Sequence, residues 1–139
     1  MSVAQIRDGL GETLSTIEEF RAVHKYEPKS YKALPAASLF FEGFEQNDNS
    51  RATNELKHRF IVRIAIRLQD AEEAQAEMDA LIDKVVSTLA LSRNLGKPGV
   101  CYNAMVVSAD TGVVVQNQQN PQLVGELIVD VNALVSRVR

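Results

Sequence analysis

The spacing of apolar residues predicts an α+β fold: a two-layer sandwich with a mostly antiparallel sheet of about five strands and two long helices on one face. Two stretches, 3–22 and 71–91, repeat apolar residues at helical spacing, and the remaining apolar runs alternate with the period of a strand. No internal repeat or compositional break divides the chain, so residues 1–139 read as a single domain.

Val3, Ile6, Leu10, Leu14, Ile17 and Phe20 form the first helical stripe, and Ser2 with Gln5 has the pattern of a capping box ahead of it. The next stretch, V-H-K-Y-E-P-K-S-Y-K-A-L-P, lacks a helical period and contains Pro28 and Pro35, which predicts an extended crossing segment. Its Lys25, Lys29 and Lys32 alternate with Tyr26 and Tyr31, as expected of lysines solvating a connector whose tyrosines pack beneath it; an acidic partner is the other reading. Residues 36–45 and 56–68 read as two strands of a hairpin, joined by a long polar loop at 46–53. Asp70 and Glu73 open the second helix, whose stripe runs through Ala74, Met78, Leu81, Ile82, Val85, Val86 and Leu89. Gly96, Pro98 and Gly99 stop it. Three strand-like runs follow, and Asp110, Thr111 and Gly112 are placed to turn the chain between the first two.

A chain of 139 residues, 45% hydrophobic and 24% charged, is long enough to bury a core without metal or disulfide. Its formal charge of -3 argues against nonspecific nucleic-acid binding as the main activity, which calls for a basic excess. Cys101 is the sole cysteine, so no intrachain disulfide forms, as suits a reducing compartment. The start, M-S-V-A-Q-I-R-D, reads as a helix rather than a signal peptide, and no apolar run reaches the length of a membrane span. The expectation is a protein made and kept in the cytoplasm.

Catalytic candidates are few. The D-T-G triplet at 110–112 matches the aspartic-protease signature, but that chemistry needs two aspartates sharing a proton across a dimer of nearly all-β subunits. A chain with two long helices fits a turn better. His24 and His58 have no ligand-spaced partners, Cys101 has no activating neighbour, and there is neither a phosphate-binding glycine loop nor a nucleophile elbow. No catalytic residue, metal site or cofactor is therefore expected.

The stretch R-F-I-V-R-I-A-I-R holds the most informative pattern. Alternation puts Arg59, Ile61, Arg63, Ala65 and Arg67 on one face and Phe60, Val62, Ile64 and Ile66 on the other. Arginines four residues apart stand about 13 Å from one another, so they form a ladder and do not converge on one small anion. Glu126 and Asp130 repeat the design with opposite sign, on a face shared with Val124 and Ile128. Arginine–carboxylate contacts between these strands would fix their register, within one sheet or between neighbouring subunits. The apolar Ile61, Ala65, Val124 and Ile128 on the same face favour a subunit interface.

The order of these elements, with L-P-A-A at 34–37, the strand H-R-F-I-V-R-I-A-I-R, then D-A-E-E-A-Q-A-E-M-D-A-L-I-D-K-V and a closing L-I-V-D-V, resembles the tail terminator, or tail completion, proteins of long-tailed bacteriophages and prophages. The resemblance implies an α+β subunit, assembled in the host cytoplasm into a homo-hexameric ring on the head-proximal end of the tail tube. Such a ring stops tube polymerisation and joins the head–tail connector protein, and genomic DNA passes through its channel without sequence readout. On this reading Arg59, Arg63, Arg67, Glu126 and Asp130 support the subunit interface. The loops carrying Gln46, Asp48 and Arg51, and Asn94 and Lys97, meet the tail tube protein or the connector. A neck or head-completion protein, a nucleic-acid-binding module using the same arginines and the D-T-G protease are the alternatives.

Overall fold

A computed structural model describes the backbone of residues 2–48, 53–96, 103–115 and 121–136, and the side chains of 2–45, 56–96, 103–112 and 121–133. The elements are α1 (Val3–Ser15), β1 (Ala22–His24), β2 (Ala36–Asp48), β3 (Thr53–Arg67), α2 (Ala71–Leu91), β4 (Asn103–Val115) and β5 (Pro121–Ser136). The five strands form one sheet in the order β1-β2-β3-β5-β4. Only β1 and β2 pair in parallel; the other three pairings are antiparallel. The α+β class and the mostly antiparallel five-stranded sheet thus agree with the sequence pattern.

Alternation sorts the sheet into two faces. Phe60, Val62, Ile64 and Ile66 of β3, with Leu123, Leu127, Val129 and Val131 of β5, join the buried residues of both helices in one core cluster. From α1 these are Ile6, Leu10 and Leu14, and from α2 Ala74, Met78, Leu81, Val85 and Leu89. The arginine face is the reverse of this layer.

Three boundaries differ from the sequence expectation. The first helix ends at Ser15 rather than near residue 22, yet Ile17 and Phe20 are still buried. Past the helix the chain keeps turning through three-residue hydrogen bonds, from Ile17 N–H to the Leu14 carbonyl and from Phe20 N–H to the Ile17 carbonyl. The 14, 17, 20 spacing is thus satisfied by the tighter winding common at helix ends. The hairpin loop is also shorter than 46–53, because β2 runs on through Gln46 and Asp48, whose backbones pair with Leu56 and Asn54.

The larger correction concerns Asp110, Thr111 and Gly112. They do not turn the chain but lie within β4, paired in register with Glu126, Gly125 and Val124. A glycine between apolar runs permits a turn without requiring one, and here the long β5 offers pairing partners on both sides of it. Two expected strands merge into β4, while β1, where the expected first helix gives way to the connector, restores the total to five.

Candidate functional site

Two structural choices build the charged face. First, β3 and β5 are neighbours in a register that sets Arg59 opposite Asp130 and Arg63 opposite Glu126. Second, the segment 25–35 leaves β1, crosses this face and returns the chain to β2, which runs parallel to β1.

Arg59 donates from Nε and Nη2 to the two carboxylate oxygens of Asp130, at 2.9 and 3.1 Å. The Asp130 side chain is only 7% exposed, so this bidentate contact replaces most of its hydration. The same hydrogen bonds raise the Arg59 pKa above its ordinary value, which keeps the guanidinium charged. Arg63 donates from Nε and Nη2 to Glu126 Oε2 at 2.8 and 2.6 Å and also forms an ion pair with Glu27 of the crossing segment. Arg63 therefore ties two strands to the connector. Arg67 is exposed opposite Gln122 and has no ion-pair partner among the described residues.

The connector is fastened at a second point, where the Tyr31 hydroxyl and Ser38 Oγ lie 2.6 Å apart. Burial raises the Tyr31 pKa, opposed by the Ser38 hydrogen bond and reinforced by the Glu126 charge. Beneath the connector, Ala36, Ala65 and Val124 are buried on what the sequence presents as an open face. Part of the apolar surface expected to need a neighbouring subunit is thus covered by the chain itself, while Ile61 and Ile128 stay half-buried.

Between connector and sheet lies a cleft of about 840 Å³, bounded by Lys29, Tyr31 and Lys32 above and by Arg67, Asp110 and Gln122 below. Its lining mixes both signs of charge. Gln122 is buried with Oε1 unpartnered among the described residues. The sequence reading missed Glu27, Tyr31, Ser38 and Gln122 as members of this site. The signal was the pair of prolines at 28 and 35, which marks a segment that crosses something without saying what.

The remaining candidates are scattered. His24 stacks edge-on against Tyr31, whereas His58 is buried between Phe41 and Phe44. Asp110 is exposed, and its Oδ1 accepts the Thr111 N–H at 2.9 Å. Asn94 Oδ1 accepts the Gly96 N–H at 3.0 Å in the turn after α2, where Gly96 has a φ of 68°. Arg51, Lys97 and Cys101 lie outside the described residues. No group of three or more potential metal ligands occurs among the described residues, and none of the described helices is long and apolar enough to cross a membrane. The chain matches no protein-family model and no curated protein sequence.

Proposed function

We propose that the chain is a structural virion subunit of the tail-terminator kind. It caps the head-proximal end of a phage tail tube as a homo-hexameric ring, stops tube growth and receives the head connector. The observation that carries this reading is the placement of two of the stretches that make up the resemblance. H-R-F-I-V-R-I-A-I-R and L-I-V-D-V are adjacent strands at the centre of the sheet, joined by Arg59–Asp130 and Arg63–Glu126. Their charges go into holding register, which suits a subunit that must keep its shape while partners bind its edges and ends.

Arg59 and Arg63, with Asp130 and Glu126, support the proposed subunit contact indirectly by holding the sheet whose edges meet neighbours; Arg67 has no ion-pair partner among the described residues, and the ends near Gln46, Asp48 and Asn94 lie toward tube or connector. A neck or head-completion protein would be built alike and differ in its position in the particle.

Native mass spectrometry over a concentration series, followed by electron microscopy of lysates from a deletion of the gene, tests the proposal. Six-chain assemblies and tails of uncontrolled length are expected. Tails of normal length in the deletion lysate would overturn the terminator role, and a dimer as the largest species would overturn the ring.

A further inference from the structure

Apolar side chains of the sheet that remain exposed are confined, among the described residues, to its two outer long strands. Phe40 and Phe44 of β2 are 47% and 56% exposed, and Met105 and Val107 of β4 are 43% and 51% exposed. They also lie at one height. Pairing partners trace one rung from Phe40 through Ile61 and Ile128 to Ser108, and another from Phe44 through His58 and Val131 to Ala104. Met105 and Val107 fall between these rungs on the far edge.

Both edges have free backbone in that band. At Ala104 the N–H of β4 is taken by the Arg93 carbonyl at 2.9 Å, so the stretch of β4 open to a new strand within the band begins at Met105. The short β1 covers β2 only at 36–38, and Arg7 Nη1 approaches the Leu39 carbonyl at 3.4 Å, where β1 stops. From Phe40 onward β2 has a strand partner on one side only, as β4 does along its length, among the described residues. Each edge also carries a bulge in the same band, at Glu42 and at Val107. A φ of 150° at Gly43 accommodates the first. Bulged edges resist indiscriminate strand pairing.

We infer that the β2 edge of one copy docks against the β4 edge of the next. The inference rests on the ring reading and supplies its contact. β2 and β4 run antiparallel across the sheet, so two copies side by side in the same orientation present antiparallel edges to each other. Rotation about a ring axis along the strands involves no rise, so equal heights meet. Phe40 and the neighbour's Met105 then become diagonal partners on the arginine face, each removing the other's apolar surface from water. The contact is heterologous, with a different edge on each side of every subunit, as a closed ring requires.

Charge substitution at the two exposed positions tests this, with circular dichroism and thermal melting to confirm folding. Phe40→Glu and Met105→Lys should each raise the concentration needed for assembly about tenfold or more. The double variant Phe40→Glu/Met105→Lys should restore assembly, because every contact then pairs opposite charges. Assembly of both single variants like wild type would overturn this contact and leave the ring reading standing. Failure of the double variant to recover would likewise overturn the contact alone, whereas dissociation by Met105→Lys only would mark a symmetric β4–β4 dimer and overturn contact and ring together. A wild type that is monomeric at every concentration would overturn contact and self-assembled ring together.

Discussion

Asp130 and Glu126 carry the same charge, four residues apart on one strand, yet they differ in what surrounds them. The Asp130 side chain is 7% exposed and held by both arms of Arg59, whereas that of Glu126 is 44% exposed and shares Arg63 with Glu27. Neutralising Asp130 buries an amide whose NH2 group cannot accept from Arg59, although the Arg59 side chain itself is 40% exposed; Glu126→Gln leaves Arg63 its second carboxylate and solvent. Asp130→Asn is therefore expected to lower the melting temperature clearly more than Glu126→Gln, and equal shifts in the two would show that burial does not govern these pairs. His58 makes a second prediction. Burial lowers its pKa, partly offset by a hydrogen bond with the Val131 backbone, so the folded state favours the neutral ring. As pH falls through about 6.5 the unfolded chain takes up the proton first, and stability is lost toward the lower folded pKa, by at most about 1.4 kcal/mol per pH unit. Urea midpoints of the wild type should fall between pH 7.5 and 5.5, and His58→Phe should flatten that decline; an unchanged slope would assign it to other groups.

The elements lock together through close approaches that no propensity scale reveals. A Cβ built on Gly125 of β5 would stand 2.8 Å from Met78 Sδ of α2, so the glycine lets helix and sheet come together at this point. Gly125→Ala should destabilise the fold by about 1–3 kcal/mol, softened by the flexibility of the methionine. Chemical denaturation measures this, and an unaltered midpoint would mean that α2 shifts over the sheet at no cost. The span of α2 was legible because its signals are local: Asp70 accepts the Glu72 and Glu73 N–H groups, and Ala74, Met78, Leu81, Val85 and Leu89 of the expected stripe are buried, while Ile82 is half-buried and Val86 is exposed at its margin. The two faces of β3 were legible for the same reason. β1 was not, because the three residues of Ala22–His24 are too few to show a period and their pairing depends on a strand a dozen residues on. The fate of Gly112 was equally hidden, since whether a glycine turns or continues is decided by the partner alongside it. Within the site, the facing of arginines and carboxylates was readable from their matched spacing, but the connector that roofs them was not, because contacts between distant segments leave no trace in local pattern.

For the molecule as a whole, the sheet supplies the rigid body, and the connector pinned by Glu27 and Tyr31 makes one of its faces a clefted surface rather than an open one. Among the described residues this build leaves β4 along its length, and β2 from Phe40 onward, with a strand partner on one side only. β5, the last strand in the sequence, is not at the margin but between β3 and β4. While the chain is being made, β3 therefore has an unpaired inner edge and β4 has no strand to join until β5 has left the ribosome. The paired charges and the β4 edge come into their final positions only with that insertion, whereas the β2 edge needs only β1 and β3. Timing is written into strand order: the charged face cannot form before β5 is available to join β3 to β4.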